Sequence, residues 1–353
     1  MALTSYKEVR PWAAAIREAV LAARMPVWLA DPAHGDFRND RRLTEGEKET
    51  IADWVKAGAP EGDPSQLPPK PDFVPGWTIG KPDAVFDLGT DYEVPANGVV
   101  AYQYFEVPSK FTEDTWVEAA EIRPDQRSVV HHVIVFMIGP DHKPVAGDGG
   151  DLLIGWAPGD PATVLPQGVA RRVKAGTVFR IQMHYTPNGK QVVKDRSYFG
   201  LRFAKRPPER ESITGRAIQT RFRIPAGAAN HEVRSSFTLR RDVDLESFMP
   251  HMHVRGKAFQ YSVVYPDGRS EVLLNVPKYD FNWQLNYELR KPLALPKGAR
   301  IECVAHYDNS ANNKFNPDPA KDVGWGDQTW EEMMIGWFNY TIPLDRKMAA
   351  AQP

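Results

Sequence analysis

The stretch "TVFRIQMHYTP" sets the strongest limit on the fold. Phe179, Ile181, Met183 and Tyr185 alternate with Val178, Arg180, Gln182 and His184. Successive side chains of a strand point to opposite faces, so this period of two predicts a strand with one apolar face. The other face carries Arg180, Gln182 and His184 and must look at something other than the main core. A Pro-Asn-Gly turn ends the strand. The same period governs the chain from about residue 80 onward. Ala101, Gln103, Phe105 and Val107 alternate with Val100, Tyr102, Tyr104 and Glu106, and "SVVHHVIVF" reads as a buried strand. "AFQYSVVYPDGRSEVLLNV" reads as a hairpin around Pro266-Asp267-Gly268, with Phe259, Tyr261, Val263 and Tyr265 on one face. "ARIECVAHYDNS" and "EEMMIGWFNYTI" supply further strands. Proline accounts for 31 of 353 residues, above the usual share of about 5%. Short alternating stretches separated by many turns predict β-sandwiches.

The first sixty residues differ. In "YKEVRPWAAAIREAVLAARMP", Val9, Trp12, Ile16 and Val20 recur at three or four, which predicts a helix stopped by Pro26. "TEGEKETIADWVKAGAP" predicts a second helix, with Thr44 and Glu47 as a capping box and Gly58 and Pro60 at the exit. A Pro-rich stretch then separates helices from strands, and "KRPPERES" interrupts the strands themselves. The expected organisation is a mainly β chain of two β-sandwich, jelly-roll-like domains behind a short helical segment. Its parts are a helical segment at 1–62, a linker at 63–80, a first sandwich at 81–206 and a second at 207–347.

A length of 353 residues fits two domains or more. The formal net charge of -1 gives no electrostatic case for nucleic acid or an anionic membrane surface. No apolar run approaches the roughly 18 residues needed to span a bilayer. No signal peptide is visible, so the expectation at this point is a cytosolic protein or a mature or trimmed form. Cys303 is the single cysteine. Intrachain disulfides and thiolate-rich metal sites are therefore excluded, and a metal site must draw on His, Met, Asp or Glu.

"FMPHMHVRGK" places His251 and His253 at i and i+2, which puts two imidazoles side by side on a strand face. Such pairs also occur on solvated faces. His131 and His132 are adjacent, and a regular strand would send them to opposite faces. Both can reach one metal only at a strand end or a bulge. A lone strand histidine such as His184 is more often structural than a ligand, and Met333-Met334 in an apolar run is most often core filler. His34 and His142 lie in polar loops, and His231 is ambiguous. The joint pattern carries more than its parts. One sandwich offers His131, His132 and a distant His184, a complete first shell for copper or zinc. The other offers His251, His253 and a distant Met, a soft set that selects copper, above all Cu(I).

With these motifs the chain resembles the copper type II, ascorbate-dependent monooxygenases, the family of the peptidylglycine α-hydroxylating and dopamine β-monooxygenases. "VVHHVIVF", "IQMHYTP", "PHMHVRGK" and "EEMMIG" match in the family's order over about residues 95 to 345. The resemblance implies two β-sandwiches with one copper on each, facing across a solvent-filled cleft. It implies that His131, His132 and His184 hold an electron-transfer copper, with Gln182 matching a family glutamine near it. It implies that His251, His253 and Met333 hold the copper that meets dioxygen. Met333 is preferred to Met334 because the family's ligand follows an acidic residue, here Glu332. The implied activity is hydroxylation of a C–H bond with O2 and a reductant such as ascorbate, with a cytochrome or other electron donor as an alternative partner. A periplasmic or secreted location follows from the same resemblance.

The departures bear on substrate. The peptide enzyme's substrate-binding Arg, two residues before the first His of the pair, is Met249 here. Its Asn and Tyr after the Met ligand are Ile335 and Trp337, and Val254 follows the His-x-His. A wall of Met249, Ile335 and Trp337 predicts a small neutral or aromatic substrate rather than a glycine-extended peptide, because a site without a cation cannot offset the desolvation of a carboxylate. Arg255, two residues after His253 on the same strand face, could supply a charge from another direction. The helical front resembles the C-terminal part of a bacterial c-type cytochrome domain with Met25 as axial ligand. Cys-x-x-Cys-His is absent, so no covalent haem is expected. Two rival classes remain: a non-catalytic copper-binding or electron-transfer protein, and a structural sandwich with satisfied core histidines.

Overall fold

The structure is a computed structural model, and it describes residues 3–67, 69, 76–142 and 152–344. Pro68 and residues 70–75 of the expected linker, and 345–347 of the expected second sandwich, lie outside the described residues. Strands dominate. One four-stranded sheet runs in the order Gln103–Pro108, Val178–Tyr185, Val130–Ile138, Leu152–Trp156. A second runs His231–Thr238, Arg300–Tyr307, Gly256–Val264, Ser270–Val276. A nine-stranded sheet packs against both. Its path is Ala84–Asp87, Tyr198–Phe203, Thr115–Arg123, Val169–Val173, Arg210–Ile218, Ile335–Pro343, Val243–His251, Tyr287–Leu295, with Thr163–Val164 paired aside on Thr115–Arg123.

The period of two explains both cores. Phe179, Ile181 and Met183 point inward from the first small sheet and meet Val117, Ile122, Phe199 and Leu201 of the long sheet. Phe259, Tyr261 and Val263 do the same in the second half against Leu245, Phe248, Phe338 and Tyr340. The hairpin forms as its turn residues demand, with Gly268 at φ 86°, where a side chain would be strained. The chain thus forms two sandwiches, but the long sheet is continuous across the "KRPPERES" interruption. Arg210 and Glu211 pair in parallel with Val169 and Ala170. At this joint Arg171 is buried and donates to the carbonyls of Leu152 and Leu153 at 2.7 and 2.9 Å, to Ser212 Oγ at 3.3 Å and to Asn339 Oδ1 at 3.1 Å. One guanidinium therefore ties the two halves together.

The helices of the front are Tyr6–Val9, Ala13–Leu21 and Glu45–Lys56. The second stops at Leu21, before Pro26. Thr44 Oγ1 accepts from Glu47 N at 3.3 Å and Glu47 Oε2 accepts from Thr44 N at 2.7 Å, completing the capping box. A helical description of 1–62 does not cover residues 22–43, which hold no helix. Trp28 and Phe37 from this segment enter the second core, edge-on to Tyr287 at 4.9 and 5.7 Å. Edge-to-face pairs of this kind add about 0.5–1.5 kcal/mol each beyond area burial. Asn39 Nδ2 donates to the Asn286 carbonyl at 2.8 Å, and Arg38 Nε pairs with Glu288 at 2.6 Å. Met25 is 49% exposed. Among the described residues no helix is long and apolar enough to cross a membrane.

Candidate metal centre

His132 pairs across the ladder with His184, and Val130 with Tyr185. One strand advances two residues while its neighbour advances one, so His131 is the extra residue of a bulge. The bulge breaks the alternation that would separate adjacent side chains. His131, His132 and His184 each offer a ligand atom within 4.8 Å of the others, the one such group among the described residues. The Nδ1 atoms of His131 and His132 lie 3.3 Å apart. Nitrogens about 2.0 Å from a shared ion are at most about 4 Å apart, so a small ring rotation closes the set. His132 Nε2 and His184 Nδ1 are buried with no hydrogen-bond partner. Buried polar atoms are normally satisfied, and unpartnered imidazole nitrogens in a cluster of three histidines are what a ligand set offers before metal enters.

His251 ends the strand Val243–His251, and His253 lies just past it. Alternation persists locally, since Met252 between them points into the second core. The two imidazole centroids are 5.3 Å apart. His251 Nδ1 lies 2.7 Å from Gln284 Oε1, and His253 Nδ1 lies 3.2 Å from the Glu331 carbonyl. Each acceptor takes the Nδ1 proton and leaves Nε2 with its lone pair. His253 Nε2 is buried and unpartnered. The two methionines divide: Met334 fills the core, whereas Met333 joins Ile335 and Trp337 beside a cavity.

Burial holds all five imidazoles neutral. Desolvation lowers the His131 pKa. It pushes His132 well below its usual value, helped by the neighbouring imidazoles. His184 falls to about 3, His251 to about 4 and His253 to about 3, with desolvation the main cause each time. Neutral imidazole is the ligating form.

The two sets are not separated by open solvent. The Tyr102 ring stands 4.8 Å from His184, 5.4 Å from His132 and 6.3 Å from His253. Phe281 lies 5.6 Å from His131 and 5.9 Å from His253. Beside this cluster lies a cavity of about 250 Å³. His132, His251, Met333, Gln182, Met249, Ile335 and Trp337 all line it, so residues from four distant motifs share one wall. Its remaining lining is mostly apolar, including Phe136, Trp156 and Trp325. Gln182 donates to Tyr104 Oη at 2.8 Å.

The cavity also holds charge that the sequence reading missed. Arg180 and Arg216 line it, as do Asp160 and Asp327. Arg180 is committed to Glu106 at 2.6 Å. Arg216 sits opposite Trp337, which sits opposite Met249, and its guanidinium lies 5.7 Å above the Trp337 ring. Only cross-strand register reveals that row. Burial raises the Asp160 pKa to about 6, against the pull of the Ala157 N–H and Arg41. Arg255 takes no part in the cavity wall. It is 1% exposed and donates to Asn309 Oδ1 at 2.8 Å and the Trp330 carbonyl at 3.0 Å. Glu332 is wholly buried and accepts from the backbone N–H groups of His253 and Arg255 at 2.9 and 2.7 Å. Desolvation raises its pKa to about 8, although those N–H groups and Arg255 pull it down.

The other histidines lie apart from the cluster. His306 faces Glu232 at 3.9 Å on the second small sheet, where His231 also sits, and His142 bonds Glu106. Tyr102, Phe281, Gln284 and Asp160 carry no spacing signal, and only contacts identify them.

No family model matches the chain, and no curated protein matches it. Among solved structures, the infectious bursal disease virus VP2 subviral particle is 8% identical, covering 77% of this chain and 75% of that one at a TM-score of 0.24. The major capsid protein P2 of bacteriophage PM2 is 8% identical, covering 73% and 99%, with a TM-score of 0.28. Allantoicase from Saccharomyces cerevisiae is 8% identical, covering 70% and 80%, with a TM-score of 0.21. Likeness at these scores is too slight to carry an argument about function.

Proposed function

We propose that the protein is a copper-dependent monooxygenase that hydroxylates a C–H bond of a small neutral or aromatic molecule, using O2 and an external reductant such as ascorbate. The observation that carries this reading is the shared cavity, in which His132, His251 and Met333 meet Met249, Ile335 and Trp337. The donor set fits copper: five neutral imidazoles, a thioether, and buried nitrogens without partners. Bound copper would supply the one-electron steps of dioxygen reduction, with one oxygen atom going to the product and the other, with two electrons and two protons, to water. The chain's own residues supply the rest. His131, His132 and His184 would hold one ion, and His251, His253 and Met333 the other. Gln182, hydrogen-bonded to Tyr104, lines the wall beside the first set. The apolar and aromatic wall binds substrate by area and stacking, and it excludes water from the reacting C–H bond. Arg180 is paired with Glu106 and Arg216 lies over the Trp337 ring, so the preference for neutral groups rests on the apolar and aromatic lining. No haem takes part, and a periplasmic or secreted site of action belongs to the same proposal. The test is reductant-dependent oxygen uptake by the copper-loaded chain, with a panel of neutral aromatics and glycine-extended peptides. Coupled uptake with neutral aromatics is expected. Tight copper binding without substrate-dependent uptake would favour an electron-transfer protein instead.

A further inference from the structure

The stretch Tyr279 to Gln284 precedes the strand Tyr287–Leu295 and has a self-bonded turn. Asp280 Oδ1 accepts from Asn282 N at 2.9 Å, and the Asp280 carbonyl accepts from Trp283 N at 2.9 Å. Three side chains of this stretch reach the histidines or the backbone between them. The Tyr279 hydroxyl accepts from Met252 N at 3.2 Å and donates to the Met252 carbonyl at 2.8 Å, gripping the backbone between His251 and His253. Gln284 Oε1 faces His251 Nδ1 at 2.7 Å, while Gln284 Nε2 donates to the Phe281 carbonyl at 3.3 Å. The second bond settles the amide's orientation, so the oxygen faces the imidazole and His251 is protonated on Nδ1. The Phe281 ring lies 12° from parallel to His131 at 5.6 Å, and stands 6.2 Å from His184 and 5.9 Å from His253. A residue of the second sandwich thus packs on imidazoles of both sandwiches.

We propose that Phe281 and Gln284 are positioning residues for both metal centres: Gln284 fixes the tautomer and ring orientation of His251, and Phe281 holds His131 and sets the spacing between the two imidazole groups. This rests on the reading of the histidines as ligands. An imidazole that donates from Nδ1 to a fixed acceptor is a more basic ligand at Nε2 and gives up less rotational freedom on binding. Partners of this kind are worth roughly 10–100-fold in metal affinity. Phe281 acts by packing, so its effect should appear at the His131 site although it belongs to the other sandwich.

The experiment titrates the full apo chain with Cu(I) against a chromophoric chelator, and records the Cu(II) electron paramagnetic resonance spectrum after oxidation. Gln284→Met, of similar length but without a strong acceptor, should weaken one of two sites roughly 10–100-fold and leave the other unchanged. Gln284→Glu, which keeps an acceptor, should recover most of the loss. Phe281→Ala should change the spectrum of both sites, and Phe281→Tyr should restore it. Should Gln284→Met fail to fold, Gln284→Ser, too short to reach the imidazole, takes its place. A wild-type chain that binds fewer than two coppers overturns the ligand reading itself. A wild-type chain with two coppers, and Gln284 and Phe281 variants with unaltered affinities and spectra, overturns the positioning role alone.

Discussion

The two histidine sets gather similar donor groups by different construction. His131, His132 and His184 are held by the sheet: a bulge turns one ring, a cross-strand pair places the other two, and packing supplies the remainder. His251 sits at a strand end, His253 and Met333 just beyond strands, and hydrogen bonds hold the set. Gln284 and the Glu331 carbonyl orient the rings, Glu332 takes two backbone N–H groups, Tyr279 grips Met252, and the Tyr307 hydroxyl donates to the Met333 carbonyl at 2.7 Å. A ladder-built site keeps its framework when one distant contact is lost, although its ring orientations can shift. A site at strand ends depends on each of its few fixed partners, and so it can be lost without loss of the fold.

The sharpest way to break this comparison is Glu332→Ala. It leaves the N–H groups of His253 and Arg255 buried without an acceptor. The cost should be about 3–5 kcal/mol for the two groups together, read by urea unfolding of the apo chain. The second set should lose its metal while the first keeps its own. Equal loss at both would mean that the two sets share one scaffold.

A smaller effect of opposite sign is expected at Asp160, a carboxylate that also lines the cavity but is held by one backbone N–H, from Ala157 at 2.9 Å. Its folded pKa, raised to about 6 by burial, lies above the ordinary aspartate value of 3.8. The folded chain therefore keeps a proton that the unfolded chain has lost, and stability falls as pH rises from about 4 to about 6. Asp160→Asn removes that fall. The variant should be more stable than wild type at pH 7 by at most about 3 kcal/mol, with the gain vanishing near pH 4. Thermal melts at the two pH values check this, and a variant less stable at pH 7 would show that the carboxylate has a charged partner there.

The parts legible in the sequence were those set by local rules. Alternation placed Phe179 to Tyr185 and Phe259 to Val263 in strands, Thr44 and Glu47 marked a helix start, and the adjacency of His131 and His132 allowed a shared metal only at a strand end or a bulge, of which a bulge is observed. What was illegible depends on register between distant segments. The parallel pairing of Val169 with Arg210 makes one sheet of two expected domains, and no local signal predicts it. Trp28 and Phe37 sit in a stretch without period, so their place in the second core could not be read. Arg216 enters the cavity only because strand order sets it beside Trp337 and Met249. Phe281 and Gln284 reach the histidines through side-chain contacts from a loop, where neither period nor motif exists.

The central claim is that the chain holds two coppers in distinct surroundings. Copper stoichiometry of the reconstituted protein tests it most directly, measured for wild type, His184→Ala and Met333→Leu. Two coppers per chain are expected in the wild type. His184→Ala should retain one, at the His251 site. Met333→Leu should keep Cu(II) at both while weakening Cu(I) at one, because the thioether favours the reduced ion. Saturation of the wild type at a single metal, or loss of both sites on either substitution, would contradict the account.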